Sequence, residues 1–183
     1  MICLEFKLNN TVLKIDFSFF IVLSIALMIN NKSVAYLLLF SALHELAHII
    51  VLLIVGGKID KINFSYYGIG MKHSSDLKFK DEIVFLLSGV GVNLFFAVIN
   101  VQRQINLSLF LINILPVFPL DGGRILKLIL DRVFDFYISY KVFISISILF
   151  FVAMMIYAIY NKNFNIILIG IYLFTWIVRG NYD

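Results

Sequence analysis

The residues best suited to chemistry are His44, Glu45 and His48, in the run Ser41-Ala-Leu-His-Glu-Leu-Ala-His-Ile-Ile50. They read His-Glu-x-x-His. A helix turns about 100° per residue, so the two histidines fall one turn apart on one face. Two imidazoles at that spacing can bind one zinc ion, and Glu45 can serve as general base on a water there. The chain has three His and three Glu among 183 residues. A shuffled chain of that composition would show the pattern about once in two thousand trials. The bland alternative is a pair of buried histidines satisfied by backbone carbonyls.

A hydrolytic zinc site takes three protein ligands and leaves one position open. Asp121 is the best third ligand in the sequence. It follows Pro116 and Pro119, the only two prolines in the chain. Each removes a backbone donor and disfavours a continuing helix. A broken helix beside a charge is tolerated at membrane depth only where it lines a buried or watery site. Residues 113–122 are therefore expected to be an unwound segment that presents Asp121, with a surface helix over 123–134.

The elements that must carry these residues are apolar. The composition is 62% hydrophobic and 14% charged, with a mean hydropathy of +0.99. A soluble domain is about half apolar and a quarter charged. The expectation is an all-α membrane protein of one domain, 1–183, with about six transmembrane helices and a small surface β-hairpin region. The expected spans are 17–29, 34–55, 83–101, 105–120, 142–160 and 164–178. The second carries His44 and His48 and stops at Gly56-Gly57. Residues 1–16 alternate like a strand pair around Asn9-Asn10, and 58–80 like a hairpin or edge strands (Ile59, Ile62, Phe64, Tyr66, Ile69, Met71). The 58–71 part of that second region could hold an extended peptide by β-augmentation. In the third span, Ser88-Gly89 and Gly91 allow close helix packing, and Asn93 needs a partner.

The remaining signals are plainer. One cysteine, Cys3, excludes an internal disulfide and a Cys-rich zinc site. No removable signal peptide is expected. The net charge of +4 comes from basic residues between apolar runs, so no nucleic-acid partner is expected. With the N-terminus inside, only Lys32, Arg103 and Lys162 of the fifteen Lys and Arg lie outside. That bias predicts a multi-pass cell-membrane protein with both termini in the cytoplasm. It also predicts that His44, His48 and Asp121 share the inner leaflet. His73 reads as solvated, Asn93 and Asn113 as structural hydrogen-bonders, and Asp81 and Glu82 as the start of a helix.

Taken together, these motifs resemble the site-2 protease family of intramembrane zinc metalloproteases, peptidase family M50. The matching residues are His44-Glu45-Leu-Ala-His48, Gly56-Gly57 with the strands after it, Ser88-Gly89-x-x-x-Asn93, and Asn113…Pro116-x-x-Pro119-Leu-Asp121-Gly122. The resemblance implies one zinc per chain on His44, His48 and Asp121, with Glu45 catalytic. It implies hydrolysis of membrane-tethered proteins in or near the cytoplasmic leaflet, with the lipid bilayer and a membrane regulator as further partners. Asn93, Asn113, Pro116, Pro119 and Gly122 become candidate substrate-contacting or structural residues. The spacing is most similar to the sporulation stage IV FB branch, which releases a tethered sigma factor. Two departures stand out. Val90 replaces a common Pro after Ser-Gly, and too few residues follow Val178 for the nucleotide-sensing CBS domain of that branch. The alternatives are a catalytically inactive membrane adaptor, and a metal-ion transporter using the same three ligands.

Overall fold

The computed structural model describes residues 3–8, 11–28, 31–65, 68–73, 77–162, 166–167, 169–171 and 173–174. Its contacts divide the chain into two compact units, 1–110 and 111–183. The chain is mostly helical with one small sheet.

The first unit opens with β1 (Cys3–Leu8) and β2 (Thr11–Asp16), antiparallel with Cys3 opposite Asp16 and Leu8 opposite Thr11. The short helix α1 (Phe17–Met28) and the long helix α2 (Lys32–Ile54) follow. Then come β3 (Ile59–Ser65), β4 (Gly68–His73) and α3 (Phe79–Val98). The expected hairpin region is larger than the sequence suggests. β2 and β3 pair in parallel, Val12 opposite Lys61 and Ile15 opposite Phe64, which joins two hairpins into one sheet of order β1-β2-β3-β4. A parallel pair needs a long crossover, and α1 with α2 supplies it. Phe19 on α1 packs edge-on against Phe64 at 5.5 Å between ring centroids, so the crossover leans on the sheet. Asn9, Asn10 and Tyr66, invoked for the strands, lie outside the described residues.

α2 is bounded by local chemistry. The Asn31 side chain accepts from the Ser33 amide at 2.9 Å, satisfying one of the orphan donors of the first turn. At the other end Gly56 takes φ +80°, a left-handed conformation that glycine adopts without strain. Its amide donates to Leu53, and the Gly57 amide to Leu52, which closes the helix in a Schellman motif. The buried residues of α2 are Phe40, His44, Ala47, His48 and Leu52, a single stripe at helical spacing. The matching stripe of α3 is Phe85, Leu86, Gly89, Val90, Asn93 and Ala97. Their outer faces carry exposed Leu37, Leu39, Leu53, Ile54, Leu94 and Phe95, which suits lipid. A turn with left-handed Asn100 and Gln102 follows α3. It sits one to three residues earlier than expected, because Arg103 already begins α4 (Arg103–Asn113). The buried Asn106 ties the turn down, donating to the Val101 carbonyl at 2.9 Å.

The second unit takes in the end of α4, 111–113, and then the non-helical stretch 114–120, as the prolines require. α5 (Asp121–Val133) and α6 (Phe136–Tyr160) follow, and residues 166–167, 169–171 and 173–174 are helical. The break ends earlier than expected. Asp121 is the first residue of α5 and not part of the unwound segment. Ser139, Phe143 and Ser147 form the buried stripe of α6.

Among the described residues, three helices are long and apolar enough to cross a bilayer: α2, α3 and α6. The expected first and fourth spans are helices of only 12 and 11 residues, short of the roughly 20 a full crossing needs. Most of the expected sixth span, 164–178, lies outside the described residues.

An ionic elbow joins α5 to α6. Lys127 Nζ lies 2.5 and 2.6 Å from the two Asp131 oxygens, and the Ser139 hydroxyl donates to the same carboxylate. Partial burial pushes the Asp131 carboxyl up, but the hydrogen bonds from Lys127 and Ser139 and the Lys127 charge outweigh it. Its pKa therefore lies below the ordinary 3.8. A depressed carboxylate stabilises the fold above its unfolded pKa and loses that contribution as pH falls through the folded value. In detergent, wild-type protein should melt above Asp131→Asn at pH 7. The gap should close on acidification below about pH 4, and thermal unfolding at a series of pH values measures it.

Candidate metal centre

His44 and His48 sit in the middle of α2, where unbroken helix puts them one turn apart. Both are buried, 5% and 4% exposed. Their rings stand nearly perpendicular, at 84°, and their Nε2 atoms are 3.2 Å apart. Each ring is held from behind by α3. His48 Nδ1 lies 2.8 Å from the Phe85 carbonyl oxygen. A carbonyl only accepts, so Nδ1 carries the proton and Nε2 keeps its lone pair. The Ser88 hydroxyl donates to the same carbonyl at 2.6 Å and lies 3.1 Å from His48 Nδ1. His44 Nδ1 lies 2.9 Å from Asn93 Nδ2, a side chain with no exposed surface.

Gly89 fills the space between these contacts with nothing. A Cβ there would fall 2.7 Å from His44 Nε2 and closer still to His48 Nε2. The missing side chain leaves room where both lone pairs converge. Two nitrogens about 2.0–2.1 Å from one tetrahedral ion lie about 3.3 Å apart. The observed 3.2 Å is close to that separation, so the spacing of the pair suits zinc.

Glu45 is the next residue on α2, half-buried and about 100° round the helix from His44. The other expected ligand belongs to the second unit. Asp121 is 6% exposed and opens α5 with Leu120 as N-cap. A carboxylate is favoured there by the helix dipole. Two glycines place it. A Cβ on Gly122 would collide with the Ile114 and Leu115 carbonyls, and one on Gly123 with the Val117 backbone. The 114–117 backbone therefore lies directly on the first turn of α5. Ser147 on α6 steadies it, donating to the Pro116 carbonyl at 3.2 Å. Asn113 ends α4, half-buried, and Pro116 and Pro119 lie in the non-helical stretch.

Sequence reasoning missed several of these parts. Ser88-Gly89 reads as helix packing, yet it supplies a hydroxyl and an opening to the rings. Ser147 has no motif to announce it. His73 is not a solvated loop residue: it ends β4, half-buried, with its ring 5.2 Å from Phe85. The Phe85 ring in turn lies 5.3 Å from His48.

Gly89→Ala should lose zinc, because a methyl would occupy the point where the two lone pairs meet. Inductively coupled plasma measurement of the purified protein should find well under half the wild-type metal content.

Known proteins resemble this chain. The model of peptidase family M50 matches residues 87–158, from α3 into α6. A zinc metalloprotease of Methanocaldococcus jannaschii is 29% identical over 186 aligned residues, covering 88% of this chain and 55% of that protein. Stage IV sporulation protein FB of Bacillus subtilis is 24% identical over 136, covering 65% of this chain and 47% of that one. The chain thus spans about half the length of the curated relatives it matches. Among solved structures, a site-2 protease from Methanocaldococcus jannaschii superposes with a TM-score of 0.70 at 22% identity, covering all of this chain and 96% of that one. At that identity the likeness is one of fold. By sequence and by fold, the chain is similar to the site-2 proteases of peptidase family M50.

Proposed function

We propose that the protein is an intramembrane zinc metalloendopeptidase that cuts membrane-tethered proteins in or near the cytoplasmic leaflet. The observation that carries the reading is the His44–His48 pair, with converging Nε2 atoms 3.2 Å apart over a glycine. Asp121 is the third ligand in this proposal. Each of the three is buried and offers one ligand atom of a type zinc accepts. Zinc held by that set would polarise a water and the scissile carbonyl.

The chain's own residues then do the proton chemistry. Glu45 takes a proton from the attacking water and passes it to the leaving amine. The His48 Nδ1–H bond to Phe85 keeps that imidazole aimed. Asn113, Pro116, Pro119 and Gly122 form or adjoin the segment before Asp121 and are candidates to line the substrate path. Cleavage needs an extended peptide. β3 is flanked by β2 and β4, so the strand available for such a peptide is β4 and not the whole 58–71 region.

The basic residues support the finer topology, with multi-pass insertion, about six crossings and both termini in the cytoplasm. A single-span protein is the substrate class, and a tethered transcription or sigma factor is one candidate within it. A membrane regulator remains part of the proposal on the resemblance alone.

The test is co-expression with single-span membrane proteins, scored by fragment size. Wild type should release a fragment. Glu45→Gln should bind zinc equally and cut at least about 100-fold more slowly, since general acid–base groups contribute about that or more. Cleavage at the wild-type rate by this variant would remove the hydrolase reading.

A further inference from the structure

We infer that Asn93 is a positioning residue that selects the tautomer of His44, accepting from Nδ1–H through Oδ1 when Nε2 is a metal ligand. The inference rests on the zinc reading above and deepens it. Asn93 is wholly buried and its amide is 2.9 Å from His44 Nδ1. The nitrogen end faces the ring, and Oδ1 is buried with no hydrogen-bond partner among the described residues.

A ring nitrogen facing an N–H donor must accept. With Nδ2 inward, His44 would carry its proton on Nε2 and could not ligate there. Turning the amide by 180° puts Oδ1 against Nδ1. The ring proton then sits on Nδ1 and the Nε2 lone pair is free. The two ends of an amide are alike in shape, so the turn disturbs no packing. Because Oδ1 has no other partner, nothing else among the described residues holds the amide one way round. The side chain is therefore free to follow the ring. His48 differs: its partner is a backbone carbonyl, which fixes its tautomer permanently. One histidine of the pair is locked by main chain, and the other is set by a side chain that can be exchanged.

The experiment compares Asn93→Asp and Asn93→Leu with wild type as the full chain in detergent. Zinc affinity is read by competition with a chromophoric chelator, and ligand geometry by the visible bands of the cobalt-substituted protein. Asp can only accept, so Asn93→Asp should keep wild-type affinity and cobalt spectrum. Asn93→Leu should bind about 10- to 100-fold more weakly, the usual cost of losing a group that orients a ligand. Thermal melting without metal reports folding. If Asn93→Leu does not fold, the Asp variant decides: tenfold weaker binding than wild type overturns the inference. Zinc binding by folded Asn93→Leu equal to wild type overturns it as well, while leaving the protease reading intact. Wild-type protein that takes up no zinc overturns both.

Discussion

The structure depends on the contact of two imidazoles with a bare helix face. His44 and His48 reach their 3.2 Å approach because α3 offers no side chain at Gly89 and polar atoms on either side of it. The Phe85 carbonyl and Ser88 hydroxyl take one ring, and the Asn93 amide takes the other. In lipid, two helices gain little from the hydrophobic effect on meeting. What pairs α2 with α3 must be close packing and buried polar contact, and here both occur at the same residues. A slide of one turn along α3 would separate both rings from their partners. Register and site are therefore set by one group of interactions, with Phe40 against Phe96 at 5.2 Å marking a second point on the seam.

The carboxylate side is built by a different device. A helix running through 114–120 would present continuous hydrogen-bonded backbone. Two prolines prevent it and, lacking N–H groups, leave fewer donors to satisfy at that depth. The freed carbonyls are answered locally. Pro116 accepts from Ser147, and the turn closes with Val117 to Leu115 and Leu120 to Val117 amide bonds. Gly122 and Gly123 let this backbone lie on the first turn of α5, which fixes the direction in which Asp121 leaves the helix. The Asp-Gly-Gly run is thus an architectural demand: a chain packed this tightly against a helix start admits no Cβ at either position.

Legibility in the sequence followed the range of the interactions. The helix bearing His44, Glu45 and His48 declares itself through a four-residue spacing, and its stop through Gly56-Gly57, because both are local. The alternating strands were legible for the same reason. Their union into one sheet was not, since the Val12–Lys61 and Ile15–Phe64 pairings cross two helices and leave no nearby mark. The expected span bounds outrun the helices where apolar residues continue past a helix end. Residues 105–120 are apolar enough to suggest a crossing, but the prolines end α4 at Asn113. His73 was misread because a single polar side chain in a polar stretch gives no sign of the phenyl ring it packs on. Ser147 was invisible because serine in an apolar helix has many roles and its partner lies 31 residues away.

Charge explains why this donor set suits its surroundings. An isolated charge at membrane depth is costly, and neutral groups are tolerated when hydrogen-bonded. The two imidazoles have their outer nitrogens paired. In the proposed centre a divalent ion with one carboxylate ligand would leave one net positive charge, and the neighbouring Glu45 carboxylate would cancel it. Removing Glu45's charge would then do more than remove a base: it would leave a net charge in a setting that screens it poorly. In that proposal the residue that moves the proton would also balance the ion, which would give a reason for placing Glu45 directly beside a ligand on an otherwise apolar helix.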